Sequence, residues 1–141
     1  MKILILCTGN SCRSQMAHGF MQSFDQRMAV YSAGTKAAGK INSGAVDAMA
    51  EIGVDITSHT SDDVVLYLNQ SWDFVITVCG GANDSCPAFT GKVRHKLHIG
   101  FDDPSHAEGT DDFIRNEFRR VRDQIKERFQ TLYLEEILPQ L

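Results

Sequence analysis

The chain has no run of basic residues, no apolar stretch long enough to span a membrane, no internal repeat and no low-complexity segment. Its formal net charge is −4. A nucleic-acid partner is therefore disfavoured, although a local positive pocket stays open. Before Cys7 stand one Lys and an apolar run of only four residues, Ile3 to Leu6, too short for a signal peptide. A cytoplasmic protein with no membrane partner is the default expectation. With only four Cys in 141 residues, the thiols are expected to be catalytic, redox-active or metal-binding rather than a structural disulfide set. The length suits one domain spanning 1–141 with a real core. At 43% hydrophobic and 23% charged, the composition is that of a globular chain.

What is present begins with a short apolar run, Ile3-Leu4-Ile5-Leu6, read as a buried strand. Met28 to Ser32 reads as a second strand stopped at Ala33-Gly34, and Phe74 to Val78 as a third, ended by Cys79-Gly80-Gly81. Lys92 to Ile99 alternates, with Val93, His95, Leu97 and Ile99 on one side, and predicts a half-exposed edge strand. Ser14 to Met21 reads as the first turns of a helix. Ser43 is the expected cap of a helix to about Ile52, stopped by Gly53 and buried through Val46, Met49, Ala50 and Ile52. Ser61 is the expected cap of a short helix enclosing Val64, Val65 and Leu68. Residues 80–92 read as loop. Thr110 opens a long helix whose stripe Ile114, Phe118, Val121, Ile125, Phe129, Leu132 steps by three and four. Phe113 to Leu132 is expected to be core. This order predicts an α/β fold with a parallel sheet and helices on both faces, its ligand site beyond the carboxyl ends of the strands.

Cys7-Thr8-Gly9-Asn10-Ser11-Cys12-Arg13-Ser14 joins the first strand to the first helix. Backbone N–H groups of such a loop point inward, and the helix N-terminus adds partial positive charge. Arg13 supplies a planar fork for two oxygens of a tetrahedral anion. Beside that charge, Cys7 is expected to react as a thiolate near neutral pH. The plain alternatives are a buried structural Cys7 with a surface Arg13, or a Cys₄ zinc site. For zinc, the gap between Cys79 and Cys86 is too long for the usual ligand spacing.

Cys79 and Cys86 flank Gly80-Gly81-Ala82-Asn83-Asp84-Ser85. Seven helical residues rise by about 10 Å, whereas a disulfide needs Cα atoms within about 7 Å. The pair can bond only if the segment bends or unwinds. A redox pair on a mobile loop and two unrelated thiols stand level on these residues alone; Cys7 tips the balance to the redox pair. Asp103-Pro104 reads either as a carboxyl that passes protons near the anion loop or as a simple turn. The five His show no ligand spacing and read as surface or satisfied core residues.

Together these segments resemble the thioredoxin-coupled arsenate reductases, which share the low-molecular-weight tyrosine phosphatase fold. The resemblance rests on Cys7 through Ala17, Val30-Tyr-Ser-Ala-Gly, His59-Thr-Ser-Asp, Val78-Cys with Cys86-Pro, and Gly100-Phe-Asp-Asp-Pro. It implies a three-layer α/β fold with a four-stranded parallel sheet. It implies arsenate as substrate, with phosphate or sulfate competing, held by Thr8, Gly9, Asn10, Ser11, Cys12 and Arg13. Cys7 would attack arsenate, and Ser14 would donate a hydrogen bond to its sulfur. Cys79 would release arsenite and leave a Cys7–Cys79 disulfide. Cys86 would convert that to a Cys79–Cys86 disulfide for thioredoxin to reduce. Asp103 would donate or accept the proton, while Cys12 takes no redox role. No bound cofactor is implied, and a monomer is expected.

Some members bind potassium through residues matching Asn10, Ser32 and Asp62 plus a Glu on the first helix. This chain has His18 at that Glu position. Imidazole is a poor ligand for a hard cation, so potassium activation is expected to be weak or absent. The rival activity is tyrosine phosphatase, with a phosphocysteine at Cys7 and Asp103 as general acid. Phosphatases of this fold typically carry aromatic residues just after Asp-Pro, whereas Ser105-His106-Ala107 follows here.

Overall fold

The computed structural model describes residues 1–141. Four strands, β1 (Lys2–Cys7), β2 (Ala29–Gly34), β3 (Trp72–Thr77) and β4 (Val93–His98), form one sheet in the order β2-β1-β3-β4. All three pairings are parallel. The helices are α1 (Arg13–Phe24), α2 (Ser43–Ala50), α3 (Gly80–Ser85) and α4 (Asp111–Leu132). The step from β1 to β2 runs one way across the sheet and the step from β3 to β4 the other. Right-handed connections then put α1 and α3 on opposite faces. The register agrees: Ile5 pairs with both Ser32 and Ile76, so Ser32 and Thr77 point to opposite faces. Ser32 meets His18 of α1, and Thr77 meets Asn83 of α3.

Because both faces are covered, β1 has no polar alternation, and Ile3 to Leu6 are fully buried. β4 is the half-exposed edge expected: Arg94 and Lys96 are exposed, and His95 and His98, though exposed too, lean onto Phe74 and Thr77. The predicted stripe of α4 is buried from Phe118 to Leu132, with Thr110 capping the helix by accepting from Phe113 N at 3.1 Å. Arg122, also buried, ties α4 to α2 through the Ala48 carbonyl and Glu51. Phe113 departs from expectation. It precedes the first core position and stays half-exposed.

Three local expectations are corrected. The cap of α2 is Asn42, whose extended backbone lets its side chain accept from Gly44 N at 2.8 Å; Ser43 is already helical. The helix ends at Ala50, with Gly53 in the left-handed region at φ +79°, where a side chain would be strained. Its buried face is Ala45, Ala48 and Met49, while Ile52 is exposed. Asp63 rather than Ser61 caps the short turn Val64–Tyr67, and Val65 is exposed. Finally, residues 80–85 of the expected loop form α3.

Candidate active site

β1 delivers Cys7 to the C-terminal edge of the sheet, buried at 3% exposure, and α1 starts at Arg13. The intervening loop doubles back over the sulfur because Asn10 adopts φ +47°. Asn tolerates this left-handed conformation better than most residues. That bend aims Asn10 N at Cys7 Sγ, 3.1 Å away. Ser14 Oγ lies 2.8 Å from the same sulfur. Asn10 Nδ2 donates to Ser14 Oγ at 2.8 Å, leaving the hydroxyl proton free for Cys7. Gly34 of β2 permits the close approach, since a Cβ there would meet Thr8 O at 2.5 Å.

Residues outside the predicted set brace the loop and Arg13. Buried Gln15 donates to the carbonyls of Asn10 (3.0 Å) and Thr60 (2.9 Å), and its Oε1 lies 3.0 Å from His59 Nδ1. Ser61 Oγ donates to Gly9 O at 3.2 Å. Phe101 O accepts from Arg13 Nη1 at 3.0 Å. A glutamine early in a helix carries no sequence signal for such a role, because burial of its amide is decided by distant partners.

Thr8, Gly9, Ser11, Cys12 and Arg13 line a cleft of ≈ 330 Å³ above Cys7, closed on the other side by Asp103, Ser105 and His106. Asn10 is fully buried beneath it. Arg13 Nη2 and Asp103 Oδ2 are 3.3 Å apart, so the guanidinium sits at the rim beside a carboxylate. Burial pushes the Asp103 pKa up, but hydrogen bonds from Ser105 and the charges of Arg13 and His106 outweigh it; the net shift is downward. A larger groove of ≈ 530 Å³ between α2 and α4 contains no cysteine and lies away from this chemistry.

All four thiols are free. Cys79 is buried at the start of α3, where its sulfur accepts from Ala82 N and lies 3.3 Å from Thr8 Oγ1 of the anion loop. Cys86, half-buried, caps the other end of the same helix, so the pair is held apart in this state. Burial raises the Cys86 pKa, against the charge of Lys96. Burial also raises that of Cys12 strongly, and the proximity of Asp103 and Cys7 adds to it, which makes Cys12 a poor nucleophile.

One oxygen of each candidate potassium ligand is engaged within the protein. Asn10 Oδ1 accepts from Asp62 N at 2.9 Å, Asp62 Oδ2 from Tyr67 at 2.8 Å, and Ser32 Oγ lies 3.0 Å from His18 Nδ1. The His18 ring stacks on His59 with centroids 4.0 Å apart. Burial, with His59 adding, lowers the His18 pKa to about 3. Near neutral pH the His18 ring therefore carries no charge, positive or negative, beside Ser32.

A doubly wound α/β sheet whose first strand leads into a buried cysteine, a loop folded over its sulfur and an arginine at the cleft rim has the architecture of an α/β protein with an anion-sized cleft over a thiol. The chain belongs to the low molecular weight phosphotyrosine protein phosphatase family, whose model matches residues 2–140. It is 52% identical to an arsenate reductase of Halalkalibacterium halodurans, over 92% of each chain. It is 46% identical to an arsenate reductase of Bacillus subtilis, over 91% of each. Among solved structures it resembles an arsenate reductase in the phosphate-binding state, with TM-score 0.80, 31% identity, and 95% and 97% of the two chains covered. A tyrosine phosphatase of Erwinia amylovora, at 19% identity and TM-score 0.74 over 99% of this chain and 92% of that one, shares the fold.

Proposed function

We propose that the protein reduces arsenate to arsenite through three thiols and returns to its starting state by thiol exchange with thioredoxin. The observation that carries this reading is the placement of sulfur. Cys7 lies under the anion cleft, Cys79 contacts the loop that forms the cleft, and Cys86 stands at the far end of the helix that Cys79 begins.

Arsenate enters above Cys7, its oxygens meeting the loop amides and Arg13. The Cys7 sulfur attacks arsenic and an oxygen leaves as water, with Asp103 at the rim as the group that handles the proton. Cys79 then attacks Cys7 Sγ. The S–As bond breaks toward arsenic, which takes the electron pair and departs as arsenite, leaving a Cys7–Cys79 disulfide. Cys86 attacks Cys79, frees Cys7 and forms a Cys79–Cys86 disulfide. Two thiols of thioredoxin reduce that bond, so two electrons enter for each arsenate. The names of the relatives support the substrate, and the free thiols support the relay.

The test is arsenate-dependent NADPH oxidation with thioredoxin and its reductase. Wild type should turn over, Cys7→Ser and Cys79→Ser should not, and Cys86→Ser should stop after a single turnover. No wild-type turnover, or normal turnover by Cys86→Ser, overturns the reading. Asp103 beside Arg13 also favours slow hydrolysis of an activated aryl phosphate, which should survive Cys86→Ser because water rather than a thiol completes that cycle.

A further inference from the structure

We propose that Thr77, His98 and Asn83 form a latch that holds α3 helical in the dithiol state and thereby sets the reduction potential of the Cys79–Cys86 pair; this rests on the relay proposed above. The three residues come from three elements. Thr77 ends β3 and is fully buried. Its Oγ1 lies 2.8 Å from His98 Nδ1 on β4, 3.4 Å from Asn83 Oδ1 on α3 and 3.4 Å from the Leu97 carbonyl.

A hydroxyl carries one proton and cannot donate to all three. When His98 Nδ1–H donates to Thr77 Oγ1, the Thr77 proton is released toward Asn83 Oδ1 and the Leu97 carbonyl. His98 thus orients a buried hydroxyl at the middle of the redox helix. The loop after β4 keeps room for the ring, because a Cβ at Gly100 would press His98 Nε2 at 3.3 Å.

The connection to chemistry is geometric. Cys79 and Cys86 stand at the two ends of a six-residue helix. Seven residues of helix span about 10 Å, more than a disulfide allows. Closing the bond must unwind α3 and withdraw Asn83 from Thr77. The latch therefore exists only in the dithiol state. Whatever stabilises the reduced form alone makes the disulfide easier to reduce. The three residues act through the helix rather than on substrate and are positioning residues.

The test uses the intact chain with Cys7→Ser, so that Cys79 and Cys86 form the couple measured. It is equilibrated with mixtures of reduced and oxidised glutathione, and free thiols are counted by alkylation. The two protein thiols give two electrons and two protons to one glutathione disulfide, which becomes two glutathione thiols. Loss of one net hydrogen bond corresponds to about a fivefold change. Thr77→Val should shift the equilibrium about fivefold toward the protein disulfide, a potential about 20 mV more negative. His98→Leu should move it the same way. Asn83→Ala should also move it that way, by about twofold or more, although Ala favours a helix over Asn and local propensity alone would push in reverse. Unchanged equilibria, with both redox forms losing melting temperature equally, would mean a merely structural role and overturn the latch. No Cys79–Cys86 disulfide at any glutathione ratio would overturn the relay itself.

Discussion

Ser14 shows how one small side chain can serve two others. Its oxygen accepts from Asn10 Nδ2 and lies 2.8 Å from Cys7 Sγ, which leaves its proton available to the sulfur. Ser14→Ala should lower kcat/KM for arsenate about tenfold, the scale of one hydrogen bond to a charged group. Steady-state kinetics checks this, and an unchanged value would remove Ser14 from the mechanism. His18 teaches the opposite lesson. Its ring and that of His59 stand beside Asn10, Ser32 and Asp62, whose Oδ1, Oγ and Oδ2 oxygens respectively already have protein partners. Potassium at a fixed total salt should therefore leave both turnover and melting temperature as they are in sodium. A joint rise in both would mean that a cation displaces those contacts.

At the scale of elements, β1 and α4 were legible because their patterns are strong. An unbroken apolar run reads as a strand buried on both faces, and a six-position stripe reads as a packed helix. α3 was not legible. Gly-Gly-Ala-Asn-Asp-Ser is a poor helix sequence by propensity. It is helical because Ala82 is buried, the Cys79 sulfur accepts from Ala82 N, and Asn83 faces Thr77. Such a helix is held from outside and is suited to release. Gly80 has open space where a Cβ would go. Gly80→Ala should stabilise α3 by about 0.5–1 kcal/mol and shift the Cys79–Cys86 equilibrium about two- to fivefold toward the dithiol, read by thiol counting. A shift toward the disulfide would mean that α3 is not the structure lost on oxidation.

Across the whole molecule, acid should be the weak side. His18 is held neutral in the fold down to about pH 3, whereas in the unfolded chain it takes a proton near pH 6.5. Between those values the unfolded state binds more protons, so stability falls as pH falls. The His18 contribution approaches about 1.4 kcal/mol per pH unit. Asp103 adds in the same direction at lower pH, since its depressed pKa makes stability present above the unfolded value and lost on protonation. Denaturant melts from pH 7 to 4 should show this decline, and His18→Gln should flatten it. An equal slope in the variant would move the acid sensitivity elsewhere.

The amino-acid sequence alone determined the α/β order of elements, the cysteine-led loop and the pairing of Cys7 with Arg13. Each is local: a strand, a turn and a helix start are written in consecutive residues, and their physics acts over a few positions. Tertiary structure decided what depends on distant partners. It buried Gln15 under Asn10, turned His18 onto His59, brought Asp103 to Arg13, and made a helix of the segment between Cys79 and Cys86. Those contacts join residues far apart in the chain, where hydrogen bonding and desolvation outweigh local propensity, and no spacing along the sequence encodes them.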